Sequence, residues 1–346
     1  MGKKKKPQRI GILTAGGDCP GINAAIRGVG KTAIVKYGME VVGISDGFTG
    51  LINKEYTILT EHDLSGILTL GGTILGTSRE KPFKADGKGK KEISKPVLIK
   101  KHYEQLELDA LVCIGGNGTL KTAYLLSQEG LNVVGIPKTI DNDVWGTEVT
   151  FGFDSAVNIA TEAIDRLHST ANSHKRIMVI ELMGHNAGWL ALYSGMAGGG
   201  DVILIPEIEF NENKIAQYLL KRARGNKPYS IVVVAEGVKI PSKEKSPGNY
   251  LARRINEMTG LETRETVLGY IQRGGSPSPM DRILASRFGA AAANMIADRE
   301  FGKMVAQKNF EMATVPLSEV AGKTKLVSPD SPLVRKAMEM GTSFGI

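Results

Sequence analysis

The chain reads as an α/β protein with largely parallel sheets, long enough for one large domain or two medium ones. Three observations predict this. Short apolar runs recur along the 346 residues, with stretches of helical periodicity between them. Most of the 42 glycines gather where those runs end, as tight strand-to-helix turns require. A hydrophobic content of 42% is that of a globular protein with a sizeable core.

Residues 9–14 predict a first buried strand, running through Gly16-Gly17-Asp18-Cys19-Pro20-Gly21 into a helix that begins near Ile22. Residues 41–44 predict a second strand. Residues 69–78, with Gly71, Gly72 and Gly76, read as a ligand-facing loop, and residues 85–95 as a polar surface excursion. A strand at 111–114 enters Gly115-Gly116-Asn117-Gly118-Thr119 and a helix ending near Gly130. The apolar run 131–136 is a further buried strand, followed by Pro137-Lys138-Thr139-Ile140-Asp141-Asn142-Asp143. Val157, Ala160, Ala163, Ile164 and Leu167 line one face of an amphipathic helix. Strands at 177–182, 202–206 and 230–235 follow with helices between, and 239–249 is a second polar excursion. No residue-level repeat stands out at a period of roughly 20–50 residues. So regular an alternation implies parallel sheets with right-handed crossovers.

The totals exclude several classes. No apolar run approaches the roughly 20 residues that a membrane span needs. The first residues lack a signal peptide's apolar segment, and Lys6 stands where a myristoylation motif wants Ser or Thr. Cys19 and Cys113 make no disulfide or zinc framework, and the five histidines lack acidic or cysteine partners at metal spacing. A cytoplasmic protein is expected. Net charge is +8, from 44 basic and 36 acidic residues. Lys3 to Lys6 read as a solvated tail. Aromatics are 6% and none cluster with the lysines, against a nucleic-acid surface. A basic balance suits small anionic substrates.

Ligands of doubly wound sheets bind at the carboxyl ends of the strands. Lys138, Thr139, Asp141 and Asp143 stand there. One aspartate can deprotonate a hydroxyl and a lysine beside it can hold a phosphate, which suggests phosphoryl transfer from a donor to an alcohol. On strand periodicity Asp141 and Asp143 would share a face. Two glycine turns, at Gly16-Gly17 and at Gly116-Asn117-Gly118-Thr119, offer backbone N–H groups and helix N-termini to phosphates. Neither matches the dinucleotide fingerprint or the P-loop. A third glycine turn, Met183-Gly184-His185, follows strand 177–182, and Glu236-Gly237 follows strand 230–235. Arg176 precedes strand 177–182. Arg264 and Arg273 are nine residues apart, and arginine forks grip phosphates bidentately. That spacing cannot put both on one strand face. Either the chain bends between them or they serve sites on different subunits.

Together and in this order, these blocks resemble the phosphofructokinase family. The matching segments are TAGGDCPGINAAIRG at 14–28, SDGFTGL at 45–51, GGTILGTSR at 71–79, GGNGT at 115–119, PKTIDND at 137–143, SHKRIMVIELMGHNAG at 173–188, AEG at 235–237 and TRETVLGYIQRGGSPSPMDR at 263–282. The resemblance extends over about residues 9–330. It implies two doubly wound domains with the active site between them, in a homotetramer. Residues 1–152 plus 272–322 would bind ATP and Mg2+, and residues 153–271 plus 323–346 fructose 6-phosphate. The implied reaction moves the ATP γ-phosphoryl group to the sugar 1-hydroxyl. Asp141 would be the general base, flanked by Thr139 and Asp143, with Arg79 on the transferring group. Gly16, Gly17, Phe48, Arg79, Glu80, Gly116, Asn117, Gly118, Thr119 and Lys138 would meet the donor. Thr139, Asp141, Met183, Gly184, His185, Glu236, Tyr270 and Arg273 would hold the sugar phosphate. Arg176 and Arg264 would reach that of a neighbouring subunit.

Three departures stand out. Asn117 replaces the family's usual magnesium-associated Asp, so it would hold the ion weakly. His185 replaces a usual Arg and is shorter and less reliably charged. Phe48 stands where many nucleotide-using members have Tyr. The donor signature is mixed. Pyrophosphate users of the family carry Asp at the position of Gly118 and Lys at that of Lys138, whereas bacterial ATP users carry Gly at both. Gly118 leaves room and no negative charge for a nucleotide α-phosphate, and Lys138 suits either donor, so the expectation is ATP with pyrophosphate as the alternative. Arg27 and Glu207 occupy positions of the bacterial effector site, whose remainder does not match. A weak sugar-phosphate-binding regulatory subunit, and a kinase for another phosphosugar such as sedoheptulose 7-phosphate, are the further readings.

Overall fold

A computed structural model describes residues 8–84, 94–225 and 227–346. The lysine run at 3–6 and residues 85–93 of the first polar excursion lie outside the described residues. The elements run β1 (Arg9–Ala15), α1 (Ile22–Lys31), β2 (Glu40–Ile44), α2 (Phe48–Asn53), β3 (Tyr56–Leu59), α3 (Lys95–Gln105), β4 (Ala110–Gly115), α4 (Asn117–Gln128) and β5 (Val133–Pro137). They continue with α5 (Phe153–His174), β6 (Ile177–Leu182), α6 (Trp189–Ala197), β7 (Val202–Leu204), α7 (Glu212–Arg224), β8 (Ser230–Ala235), α8 (Pro247–Thr259) and β9 (Thr263–Val267). The last are α9 (Pro279–Ala297), β10 (Lys303–Lys308), β11 (Glu311–Pro316), α10 (Leu317–Val320) and α11 (Pro332–Glu339).

The chain divides into two units. The first comprises residues 1–139, 144–152 and 273–324, and the second residues 140–143, 153–272 and 325–346. Residues 140–143, expected with the first unit, group with the second, where Lys325 donates its backbone N–H to the Asp143 carbonyl at 2.8 Å.

The first unit holds a seven-stranded sheet in the order β11-β10-β5-β4-β1-β2-β3. Its inner pairings are parallel, while β3 and β11 run antiparallel at the two edges. β1 and β4 are apolar or small on both faces where they cross the core, as strands covered on each side must be. The chain leaves β1 toward β2 on one side and returns to β4 on the other. The winding therefore reverses between β1 and β4, and their carboxyl ends form the switch point where such sheets bind ligands. On one face α1 and α9 pack backbone to backbone. A Cβ on Gly28 would fall 2.6 Å from the Ser286 carbonyl, and one on Gly289 would fall 2.5 Å from that of Ala25.

The second unit holds a four-stranded, all-parallel sheet in the order β7-β8-β6-β9. Ile231, Val232, Val233 and Val234 of β8 are fully buried, and Ala160 and Ile164 of the predicted amphipathic helix pack into the same core. The second polar excursion ends earlier than expected. Ser246 accepts a hydrogen bond from Asn249 N and Pro247 follows it, so α8 starts there. Among the described residues, no helix is long and apolar enough to cross a membrane.

Candidate active site

The turn after β1 is held by its neighbours. Gly16 N–H donates to the Ser78 carbonyl at 2.9 Å, and Thr77 Oγ1 donates to the Gly16 carbonyl at 2.7 Å. Gly16 takes φ 88°, a left-handed backbone that favours glycine. Two cations converge on the next residues. Lys138 Nζ donates to the Gly17 carbonyl, and Arg273 Nη1 donates to the Asp18 carbonyl at 3.1 Å. A Cβ on Gly17 would fall 2.5 Å from Arg273 Nη1, so a larger residue would make the guanidinium shift. Arg273 Nε is buried with no hydrogen-bond partner among the described residues. The same charges reach Cys19. Burial pushes its thiol up to about 12, against the opposing pull of Lys138 and Arg273.

On the neighbouring strand, α4 begins at Asn117 behind Gly116, which supplies no side-chain cap. The first-turn N–H groups and the positive end of the helix dipole are thus presented at the carboxyl end of β4. Thr119 Oγ1 ties this turn to the first by donating to the Ala15 carbonyl at 3.2 Å. Lys138 continues the ladder, its N–H donating to the Gly115 carbonyl at 3.0 Å. Gly116, Asn117, Gly118, Thr119 and Lys138 are therefore assembled beside Gly16 and Gly17. Gly118 is exposed, and a Cβ there would meet nothing within 4 Å. Arg79 is exposed on the long glycine loop, and its neighbour Glu80 forms an ion pair with Lys95 at 3.2 Å.

The Phe48 ring, expected to meet the donor, is 1% exposed, in the first turn of α2, and packs in the core with Leu13, Ile44, Leu51 and Ile99.

In the second unit, Asp141 is 9% exposed and Asp143 half-buried. Asn142 between them has φ 51°, so the alternation of a strand does not apply and the pleat argument for a shared face fails. The turns after β6 and β8 meet. His185 donates its backbone N–H to Glu236 Oε1 at 2.9 Å, and a Cβ on Gly237 would collide with the His185 carbonyl. Met183, Gly184, His185 and Glu236 are thus one cluster at the carboxyl end of this sheet. Tyr270 lies on the helical turn Gly269–Arg273 and is 75% exposed.

Arg176 and Arg264 lie elsewhere. Ile177 pairs with Thr263, so both arginines stand at the amino ends of β6 and β9. They share one carboxylate: Arg176 Nε lies 2.8 Å from Glu262 Oε2, and Arg264 Nη2 2.7 Å from Glu262 Oε1. The Arg176 contact, with smaller help from Arg264, holds the Glu262 carboxyl below its usual range. From Arg176 to Met183 the strand advances roughly 23 Å at about 3.3 Å per residue.

Among the described residues, no three His, Cys, Asp or Glu side chains come together as a metal cluster. A Mg2+ ion bound chiefly by phosphate and water oxygens is compatible with that donor set, with the Asn117 amide oxygen as a weak protein ligand. Sequence reasoning missed Lys325 and Trp189. Lys325 Nζ donates to Asn142 Oδ1 at 2.9 Å, across 183 positions of sequence, and no local pattern signals it.

A glycine turn under two cations, beside a helix N-terminus at a winding reversal, defines a doubly wound protein that handles phosphoryl groups. The phosphofructokinase family profile matches residues 9–296. The ATP-dependent 6-phosphofructokinase 3 of Bacteroides thetaiotaomicron is 60% identical over 97% of this chain and 100% of its own length. The pyrophosphate–fructose 6-phosphate 1-phosphotransferase of Amycolatopsis mediterranei is 46% identical over 92% of this chain and 96% of its own. The phosphofructokinase structure from Saccharomyces cerevisiae superposes with a TM-score of 0.82 at 31% identity, covering 90% of this chain and 45% of that one. The chain belongs to the phosphofructokinase family.

Proposed function

We propose that the chain is a 6-phosphofructokinase that uses ATP. The observation that carries this reading is the open position at Gly118 beside the doubly charged turn at Gly17. An extended polyphosphate can lie along the turn, and the space at Gly118 leaves room for the α-phosphate of a nucleotide. In the proposed reaction the Asp141 carboxylate takes the proton of the sugar 1-hydroxyl as its oxygen attacks the γ-phosphorus. The bond to the β-phosphate oxygen breaks, and that oxygen keeps the electron pair. Little covalent work falls to the protein, so positioning and charge stabilisation do most of it. Arg79 and Lys138 stabilise the charge on the transferring group. Mg2+ on the donor phosphates supplies further neutralisation when bound. Thr139 and Asp143 flank the base. Met183, Gly184, His185, Glu236, Tyr270 and Arg273 hold fructose 6-phosphate.

The functional enzyme is proposed to be a cytoplasmic homotetramer. Its support is the roughly 23 Å of strand between Arg176 and the His185–Glu236 cluster, too far for one phosphosugar to span. Arg176 and Arg264 then serve a neighbouring subunit's substrate, whose phosphate takes the place of Glu262. Residues 1–139, 144–152 and 273–324 would form the donor half, and the rest the sugar half.

Lys138 favours a second reading, pyrophosphate as donor, because it can contact the terminal phosphates of either compound. The test is formation of fructose 1,6-bisphosphate from fructose 6-phosphate and Mg2+, with ATP and pyrophosphate compared at matched concentration. A preference for ATP is expected. A preference for pyrophosphate overturns the donor assignment, and turnover with neither overturns the reaction. Asp141→Asn should lower kcat by roughly 10² or more with substrate binding retained. Undiminished turnover removes Asp141 as the base.

A further inference from the structure

The loop that carries the proposed base needs a support, because its middle residue is unusual. Asn142 is 4% exposed and left-handed at φ 51°. Such a backbone is uncommon outside glycine and persists where surroundings hold it. The holding group comes from the far end of the chain. Lys325 grips the loop twice: its backbone N–H donates to the Asp143 carbonyl at 2.8 Å, and its ammonium donates to Asn142 Oδ1 at 2.9 Å.

Lys325 is itself fixed. Trp189 Nε1 donates to the Lys325 carbonyl at 2.9 Å, and the ammonium stands 5.5 Å from the centre of the Trp189 ring. A cation over an indole face is attracted by the ring quadrupole. Trp189 opens α6 and packs beside Tyr193, whose ring meets Phe153 at 5.1 Å edge to face. Two residues after Lys325, Val327 N–H donates to Glu207 Oε1 at 2.9 Å. Glu207 also accepts from Gly188 N at 2.9 Å, at the start of α6. The strap 325–327 is therefore clamped to α6 at both ends.

We propose that Lys325 is a positioning residue for catalysis: clamped on Trp189, it fixes Asn142 and so sets the orientation of Asp141 and Asp143 on either side. This rests on the reading of Asp141 as the base. Lys325 does not touch the reacting atoms. Its loss should slow the chemical step while leaving ground-state binding near normal, since a base misplaced by a fraction of an ångström costs rate before affinity.

The test uses the full chain, with Trp145→Phe as background so that Trp189 is the sole indole reporter of the two tryptophans. Lys325→Met keeps the apolar stem on the ring and removes the donor. Its expected result is a fall in kcat of roughly ten- to hundredfold, the usual worth of a charged hydrogen bond. KM for fructose 6-phosphate and for ATP should stay within about twofold, and Trp189 emission should shift as the cation leaves its ring. Lys325→Arg should recover most of the rate. If Lys325→Met proves unstable, Asn142→Gly replaces it, since glycine keeps the left-handed backbone and removes the carboxamide that Lys325 holds. It should show the same loss in kcat. Wild-type kcat in Lys325→Met, or in Asn142→Gly, with Asp141→Asn inactive overturns the positioning role and leaves the base in place. Full activity in Asp141→Asn overturns the base assignment itself, whatever Lys325 does.

Discussion

Glu207 is where the resemblance and the structure suggest different roles. The resemblance sets it in an effector site, yet its carboxylate is committed inside the fold. Oε1 accepts from Gly188 N and Val327 N, each at 2.9 Å, and Oε2 lies 3.1 Å from Gly188 N. Gly188 stands at the start of α6, where a negative charge also meets the helix dipole. Glu207→Ala leaves two buried N–H groups without an acceptor. Each such loss is worth about 1–3 kcal/mol, and the dipole term about 0.3–1. Because Glu207 is partly exposed, water recovers some of this, and a net cost of about 2–4 kcal/mol is expected.

For a unit of this size each kcal/mol lowers Tm by about 2–4 °C, so a fall of roughly 4–16 °C should appear in thermal unfolding followed by tryptophan emission. Glu207→Gln keeps one carbonyl acceptor and should lose less than half of that. ADP should be titrated against initial rates in parallel. A Glu207→Ala variant whose Tm stays within about 1 °C of wild type while a response to ADP disappears would refute the reasoning. The carboxylate would then be an effector ligand.

Phe48→Tyr places a hydroxyl inside a packed core and should cost about 1–3 kcal/mol in denaturant unfolding, with KM for ATP unchanged. A lower KM would place this position in the donor site. Burial pushes the Cys19 thiol up to about 12 and raises that of Cys113 as well, so neither forms thiolate near neutrality. Both should resist alkylation at pH 8 in the folded protein and react on denaturation, as mass spectrometry can follow. The Glu262 carboxyl is held low by Arg176 first, so its stabilising ion pairs are complete above the unfolded-state value and fade as pH falls through the folded one. Glu262→Gln should therefore remove part of the acid-side pH dependence of stability, measured by unfolding between pH 3 and 6.

Strands buried on both faces were legible because their sequence is continuously apolar. The run 230–235 matches β8 residue for residue. Of the edge strands only β7, itself apolar, was legible. β9 is Thr-Arg-Glu-Thr-Val, with Arg264, Glu265 and Val267 exposed, and it owes its pairing to β6 rather than to apolar pattern. β3 and β11 are likewise strands by partnership at the sheet edges. The glycine turns were legible because glycines cluster where apolar strands end, as at Gly16 with its left-handed backbone. The burial of Phe48 was not legible, because a motif position says nothing of which way a helix turns its face. Lys325 was invisible because its partners Asn142 and Trp189 lie 183 and 136 positions away, and only the fold brings them together.

The left-handed residues tie these observations together. Asp46, Asn142 and His185 take φ 49°, 51° and 50°, in the segments that follow β2, β5 and β6. All three are types that tolerate this backbone better than most. Each is held by a distant segment: Asp46 by the Leu75 carbonyl at 2.8 Å, Asn142 by Lys325, His185 by Glu236. A local turn that must be held from afar is costly as structure alone, since an ordinary turn would connect the same elements. Its gain is orientation, because the side chains on either side are aimed by contacts that a free loop lacks. On this argument His185 is not simply a weakened arginine. Imidazole-bearing residues suit the left-handed turn that Glu236 and Gly237 impose, and the backbone geometry gives a reason for histidine that side-chain charge does not.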